Sequence, residues 1–307
     1  MARSIRFGSR STADQVLAGV DLSRKRVLVT GCDTAIGLET MKALSANGAV
    51  VIGVARNLGD AEAACSGVSR SSPLGCDPTD PASVDAAVES LRQLSGPLDA
   101  VIINSFELRC FADHVAQFVL VNRLAEFVRH RTGRIAIAGN ARSMQALPQE
   151  NVALDDLSSE RIYDPRAFHG QTKLAAALFT EELARRLDAQ GILVNAFGSG
   201  AAADQKPRAR SAAQRLTQSL LGYFTRSPAQ RAATPALLAA SPLVAGITGA
   251  YWLDCQISRR SPLFKDASLA RRLWDISTQI AALMLGRVNS SRTAALGSGD
   301  SFVSNIE

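Results

Sequence analysis

The chain has 307 residues, of which 47% are hydrophobic, 20% are charged and 5% are aromatic, and its formal net charge is +6. This composition is typical of a globular protein and excludes a disordered or fibrous chain. The basic residues form no dense run with aromatic residues between them, so we expect no nucleic-acid partner and interpret the charge as a solvated surface that helps to attract an anionic ligand.

Predicted strands and helices alternate along the chain. The strand patterns, in chain order, cover residues 26–30, 49–55, 74–77, 100–103, 134–138, 192–197 and 247–253. The main helical patterns between them cover residues 36–46, 81–94, 110–129 and 168–187. Strands without polar alternation, separated by helices, are typical of a parallel sheet that is covered on both faces.

These patterns predict an α/β protein with a single doubly wound Rossmann-type domain and a parallel sheet of about seven strands. We place this domain at residues 21–285, after an N-terminal arm (1–20) and before a loose Ser/Gly-rich C-terminal tail (286–307).

Cysteine and histidine spacing gives no indication of a metal site. No two of the 5 cysteines have C-x-x-C spacing, and the 3 histidines form no H-x-x-x-H pair. An odd number of cysteines without a disulfide pattern fits a reducing compartment.

Residues 1–11 lack the apolar stretch of a secretion signal, and we interpret the uncharged segment 232–253 as a helix, a turn and a buried strand. We therefore expect a cytoplasmic protein with no membrane partner.

The first predicted strand ends in a glycine turn that leads into a helix. After Thr30 the turn reads Gly31, Cys32, Asp33, Thr34, Ala35, Ile36 and Gly37. In a doubly wound sheet, ligands bind at the carboxyl ends of the strands, and such a turn leaves backbone N–H groups facing an anion. An ordinary strand-to-helix turn without a ligand is the alternative interpretation.

The second predicted strand ends at Arg56. An acidic residue at this point would bind a ribose 2′-hydroxyl, whereas an arginine suits a 2′-phosphate. We therefore predict NADP(H) as the cofactor in preference to NAD(H), with a solvated arginine at a strand end as the alternative.

Further motifs are spread over most of the chain. They are Asp21-Leu22-Ser23, Gly37-Leu38-Glu39-Thr40, Arg56-Asn57, Tyr163-Asp164-Pro165, Gly170-Gln171-Thr172-Lys173-Leu174-Ala175, Glu182-Leu183-Ala184-Arg185-Arg186-Leu187, Ser227-Pro228, Gly246-Ile247-Thr248-Gly249 and Asp254-Cys255. Together they resemble the short-chain dehydrogenase/reductase family, in its retinol-dehydrogenase and WW-domain-oxidoreductase-like branch, over about residues 7–281. The resemblance implies hydride transfer to or from a carbonyl or alcohol of a small molecule, and a homodimer or homotetramer built partly from the long helices.

The resemblance also assigns cofactor residues. Ala35 stands at the middle glycine position of the family's T-G-x-x-x-G-x-G turn, where its methyl group is expected to weaken pyrophosphate binding. Asp77 matches an adenine-contacting aspartate, and Asn104 matches the asparagine that follows the fourth strand. Phe106 replaces a glycine close to the cofactor, and Asp204 stands where a threonine would hold the nicotinamide amide.

The catalytic positions depart further from the family, which uses Asn, Ser, Tyr and Lys. Asn122 and Lys173 match the first and the last, and Lys173 would also hold the nicotinamide ribose. The tyrosine position, one helical turn before the lysine, holds His169, and the serine position aligns with Asn140.

These two replacements leave three hypotheses open. The charge of Lys173 favours a neutral His169 imidazole, which is a poor acid but a competent base, and Asn140 can donate an amide N–H to an oxyanion. The first hypothesis is an NADP(H)-dependent oxidoreductase for a medium-sized, partly apolar molecule. The second is a non-redox enzyme that transfers protons, as an isomerase or cyclase does. The third is a catalytically inactive binding protein.

Overall fold

Eight strands form one sheet in the computed structural model, which describes residues 5–94, 96–104, 111–139, 165–198, 226–258 and 266–297. The strands are β1 (Arg26–Thr30), β2 (Val50–Ala55), β3 (Ser71–Gly75), β4 (Ala100–Ile103), β5 (Arg134–Gly139), β6 (Leu193–Gly198), β7 (Tyr251–Leu253) and β8 (Gln256–Ile257). Their order across the sheet is β3-β2-β1-β4-β5-β6-β7-β8. All neighbours pair in parallel except β7 and β8, which pair antiparallel.

Helices cover both faces of this sheet. They are α1 (Ala13–Leu17), α2 (Ala35–Ala46), α3 (Leu58–Cys65), α4 (Pro81–Arg92), α5 (Phe111–Ala125), α6 (Pro165–Leu187), α7 (Pro228–Arg231), α8 (Ala233–Ala240) and α9 (Ala267–Gly297). Apolar residues of α1, α2, α3 and α8 share one buried cluster with one face of the sheet. Apolar residues of α4, α5, α6 and α9 share a second cluster with the other face.

Alternating strand residues supply these two clusters. In β1, Val27 and Val29 belong to the first cluster, while Leu28 belongs to the second, and all three are fully buried. Because successive side chains of a strand point to opposite faces, a strand that is apolar at every position must be covered on both sides. The predicted doubly wound parallel sheet of about seven strands is thereby confirmed: β1 to β7 are parallel, and the short β8 adds an antiparallel eighth strand.

Two strands differ from the prediction by more than one residue at an end. The third strand covers Ser71–Gly75 rather than 74–77, because its backbone pairs with β2 from Ser71 opposite Val51 to Gly75 opposite Ala55. The last parallel strand begins at Tyr251 rather than at residue 247, since Gly246 and Gly249 adopt φ of +77° and +63° and bend the chain before it. In the first case serine and proline, which are not typical of strands, concealed the start of the strand. In the second case isoleucine and threonine, which are typical of strands, suggested a start that is too early.

The chain forms a helix near each end of its described part. Within the predicted arm, α1 buries Ala13, Val16 and Leu17 in the first cluster. At the other end, α9 continues through residue 285 to Gly297, which differs from the loose tail expected from residue 286. Serine and glycine suggested a break there, but a helix tolerates both at a modest cost. The division into arm, domain and tail stays a prediction.

His114 is a buried titratable group in the second cluster. Its Nε2 lies 3.1 Å from Ser277 Oγ, and its ring packs edge-on against Phe179 with 6.0 Å between the centroids. Burial lowers the pKa of His114 to about 4. An exposed imidazole in the unfolded chain has a pKa of about 6.5.

This difference predicts that acid destabilises the fold. Between pH 6.5 and 4 the unfolded chain binds a proton at residue 114 that the folded chain does not bind, so the free energy of unfolding falls as the pH is lowered. From pH 7 to pH 5 we expect His114 to account for a loss of about 2 kcal/mol. Urea denaturation of the wild type and His114→Gln at both pH values measures it.

Replacement of the exposed His130 by Gln is the control, and it should leave the pH dependence unchanged. The same pH dependence in the wild type and in His114→Gln would contradict the prediction.

Candidate functional site

The site begins with the turn between β1 and α2. The Thr34 hydroxyl donates to the carbonyl oxygen of Gly31 at 2.7 Å and accepts from the backbone N–H of Gly37 at 3.0 Å. Thr34 is therefore the N-cap of α2, and one side chain closes the turn and starts the helix. The first N–H groups of an α-helix have no backbone partner within the helix and point out of its N-terminus, where an anion is stabilised.

Two glycines allow this turn to be so tight. Gly31 has φ of +61°, a backbone conformation that costs little only for glycine. At Gly37 a Cβ would lie 2.0 Å from the carbonyl oxygen of Gly31, which is far inside van der Waals contact. The helix can therefore approach the strand only because residue 37 has no side chain.

Asn104 joins the turn to the end of β4. Its backbone N–H donates to Thr30 Oγ1 at 3.1 Å, and its Nδ2 donates to Thr34 Oγ1 at 3.4 Å. Its Oδ1 is buried and has no hydrogen-bond partner within the described ranges. A buried acceptor of this kind is costly unless a donor reaches it, and a ligand hydroxyl would be such a donor.

Arg56 and Asp77 lie at the ends of the next two strands. Arg56 is exposed directly after β2. Burial works to raise the pKa of Asp77, but hydrogen bonds from the Thr79 side chain and backbone, together with the charge of Arg56, hold that pKa below its usual value. The carboxylate therefore stays ionised under the influence of the charge of Arg56.

A pocket connects the glycine turn with Arg56. Its walls come from strand ends, from the loops that follow them and from α5, namely Thr30, Gly31, Asp33, Val54, Ala55, Arg56, Cys76, Pro78 and Leu120. Burial raises the pKa of the Cys76 thiol to about 12, so this wall carries no thiolate. The lining thus combines apolar side chains, the Gly31 end of the glycine turn and the exposed Arg56, a combination that suits a phosphorylated nucleotide.

Two of the predicted cofactor residues, Gly31 and Arg56, line this pocket. Gly31, Thr34 and Gly37 build the turn, Ala35 is exposed at the first position of α2, and Ile36 is buried beneath it. Sequence reasoning missed Thr30 and Leu120. The hydroxyl of Thr30 could have been found from its place at a strand end beside Asn104, but nothing distinguishes Leu120 from the other apolar residues of α5.

The predicted catalytic residues are described only in part. Asn122 is half-buried on α5 and its Nδ2 donates to the carbonyl oxygen of Phe118 at 2.7 Å. His169 and Lys173 lie one turn apart on α6, but their side chains lie outside the described residues, as does Asn140 together with Phe106 and Asp204.

The described ranges contain neither a metal-binding cluster nor a membrane-spanning helix. No group of three or more histidine, cysteine, aspartate or glutamate residues in this part of the chain could hold a metal ion. Among the same residues, no helix combines the length and the apolar character that crossing a bilayer requires.

Known proteins resemble the chain in sequence and in fold. A family model for short chain dehydrogenases matches residues 25–145. The WW domain-containing oxidoreductase of Drosophila melanogaster is 30% identical over 300 residues, which cover 90% of this chain and 73% of that protein. The chain belongs to the short-chain dehydrogenase/reductase family. Retinol dehydrogenase 14 of Homo sapiens is 29% identical over 296 residues, 85% of this chain and 87% of the relative, so the branch predicted from the motifs is confirmed.

A solved structure agrees at the level of the fold. A short chain dehydrogenase from Burkholderia cenocepacia in complex with NADP superposes with a TM-score of 0.58 at 24% identity, over 76% of this chain and 96% of that one. In the present member of the family, the turn at Gly31–Gly37 is the first strand-to-helix connection of a Rossmann-type sheet.

The close approach at Gly37 makes a testable prediction. Gly37→Ala places a methyl group against the Gly31 carbonyl, and we expect the forced shift to lower the free energy of unfolding by about 2 kcal/mol or more. Urea denaturation measures this loss. Gly59→Ala is the matched control, because its Cβ would lie 3.5 Å from Asn57 Oδ1 in ordinary contact. Equal stability of Gly37→Ala and the wild type would refute the close approach.

Proposed function

We propose that this chain is an NADP(H)-dependent oxidoreductase that acts on a carbonyl or alcohol of a medium-sized, partly apolar molecule, with Asn140 and His169 in place of the family's serine and tyrosine. The observation that carries the proposal is the pocket lined by Gly31 and Arg56, in which Gly31 accepts a hydrogen bond from Thr34, the N-cap of α2. Two positive features at one edge of the sheet match the two phosphorylated parts of such a cofactor.

The described residues fit this cofactor in three ways. The glycine turn leaves the N–H groups of α2 open to a pyrophosphate. The unsatisfied Oδ1 of Asn104 would accept from a hydroxyl group. Arg56 would bind the 2′-phosphate, and its charge already acts on Asp77. When bound, NADP(H) supplies or takes up the hydride.

The preference for NADP(H) over NAD(H) rests on Arg56. A guanidinium can form two charge-assisted hydrogen bonds with a phosphate, and it gains little from a neutral hydroxyl. The related Burkholderia protein was solved with NADP, which supports a nicotinamide cofactor here and leaves the choice between the two forms to Arg56.

Arg56→Ala should therefore separate the two cofactors. We expect the Kd for NADPH to rise by about 10- to 100-fold, since a hydrogen bond to a charged group contributes about 1.5–3 kcal/mol. The Kd for NADH should stay the same. Titrations that follow NADPH and NADH fluorescence measure both constants.

Arg24→Ala serves as the control, because Arg24 is also exposed but lies before the amino end of β1, whereas Arg56 follows the carboxyl end of β2. It should leave both constants unchanged. The proposal would be wrong if the wild type bound neither cofactor, or if Arg56→Ala weakened NADPH and NADH alike.

The chemical roles that we assign belong to the chain's own side chains. Lys173 would hold the nicotinamide ribose, Asn140 would donate an amide N–H to the developing oxyanion, and His169 would exchange a proton with the alcohol oxygen. Asn122 on α5 is the fourth of the predicted catalytic residues.

The proposed substrate is a small molecule. That the protein is cytoplasmic and forms a homodimer or homotetramer remains a prediction.

A non-redox enzyme is the second candidate, and the sequence at residues 140 and 169 favours it specifically. A neutral imidazole beside an amide donor suits proton abstraction and oxyanion stabilisation without hydride transfer. A native conversion that His169→Ala abolishes, and that proceeds without a nicotinamide cofactor, would support this candidate. A binding protein without catalysis would show neither activity.

The paired replacement Asn140→Ser with His169→Tyr distinguishes redox from non-redox function. We expect the wild type to oxidise NADPH with at least one compound of a carbonyl panel, and the double variant to do so faster because a phenol beside Lys173 is a better proton donor. Loss of NADPH absorbance measures both rates. Activity that appears only in the double variant would exclude a native reductase.

A further inference from the structure

The C-terminal helix α9 lies along the outside of the two long helices α5 and α6. Along its described part, the buried residues recur every three or four positions, at Ala270, Leu273, Ser277 and Ala281. This spacing places them on one stripe that faces the protein. The residues between them, such as Asp275 and Gln279, are exposed.

Aromatic side chains form the centre of this contact. Trp274 of α9 packs edge-on against Phe118 of α5, with 4.9 Å between the ring centroids. It also stacks on Phe179 of α6 at 5.8 Å and an interplanar angle of 24°. The Arg186 guanidinium lies over the same ring, 4.2 Å from its centroid. Aromatic and cation–π contacts of this geometry add to the energy of burial.

Polar groups fix the position of the helix. The buried hydroxyl of Ser277 lies 3.1 Å from His114 Nε2 on α5. On α6 the carboxylate of Glu182, whose side chain is only 1% exposed, accepts from Arg185 and Arg186. Glu182 thereby orients Arg186 toward Trp274. A hydrogen bond between buried groups requires one particular register of α9, because any shift leaves a buried polar atom unpaired.

The α5–α6 face would otherwise be an apolar surface. Phe118, Phe179 and Leu183 belong to the second buried cluster, and Trp274 and Ile280 of α9 pack against that cluster. Exposed patches of this kind on soluble proteins mark surfaces that bind another protein. We propose that α9 takes the place of a second subunit on the α5–α6 face, so that two copies of the chain do not pair through the long helices.

The proposal changes what is expected of assembly. The family resemblance implies a homodimer or homotetramer built partly from the long helices. With α9 in place, any homo-oligomer of this chain must use another surface. The role of α9 does not depend on a cofactor. A failure to bind NADPH would therefore contradict the proposed function but not the proposed role of α9.

Hydrogen–deuterium exchange of the full chain tests the proposal. The amides of 114–125 and 175–187 are followed at two protein concentrations about a hundredfold apart. Protection that is the same at both concentrations is expected, because the cover belongs to the same chain. Protection that rises with concentration would overturn the proposal, since it would mean that a second copy covers this face.

Leu273→Asp supplies the complementary variant. A carboxylate at this buried position should release α9 and speed exchange in both amide sets by about a hundredfold. Gln279→Asp is the matched control, because it places the same group on the exposed side of α9 and should leave exchange unchanged. Unchanged exchange in Leu273→Asp would overturn the proposal.

A milder variant guards against general unfolding. If the amides of β1 and β2 also lose protection in Leu273→Asp, Trp274→Ala decides the matter. Exchange about tenfold faster in α5 and α6, with β1 and β2 still protected, supports the proposal. Exchange as slow as in the wild type contradicts it.

Discussion

The rest of the site depends on the contact between Gly37 and the carbonyl of Gly31. A Cβ at residue 37 would lie 2.0 Å from that oxygen, so the first turn of α2 can lie on the end of β1 only without a side chain there. Once the helix is this close, the Thr34 hydroxyl forms hydrogen bonds with Gly31 and Gly37 and also accepts one from the Asn104 side-chain amide. The absence of a side chain at Gly37 thus allows hydrogen-bonding groups from two strands and one helix to meet.

The pocket lies where the ends of β1 and β2 meet α5. Gly31 and Arg56 line it together with Leu120 of α5, and this arrangement carries the proposed binding of NADP(H). The helices α5 and α6 carry Asn122, His169 and Lys173 in their sequences, and Trp274 of α9 packs on both helices. The helices that carry the predicted catalytic residues are therefore supported from outside by the chain's own C-terminal segment.

Sequence reasoning succeeded where a pattern is local. The bounds of β1 and β4 follow from short apolar runs, and the glycine turn follows from its residue types. It failed where pairing decides the structure, because β3 contains Ser71 and Pro73 and is a strand only through its register with β2. The docking of α9 was missed for a similar reason, since a stripe that includes alanine and serine gives a weak apolar pattern and acquires its meaning from the aromatic residues of α5 and α6.

The central claim is that the turn after β1 and the arginine after β2 together hold a phosphorylated nicotinamide cofactor. A crystal structure of the protein grown with NADPH tests it most directly. The account predicts density for the pyrophosphate at the N-terminus of α2 and for the 2′-phosphate at the Arg56 guanidinium. NADPH bound at another surface, or a turn that remains without ligand density at saturating NADPH, would contradict it.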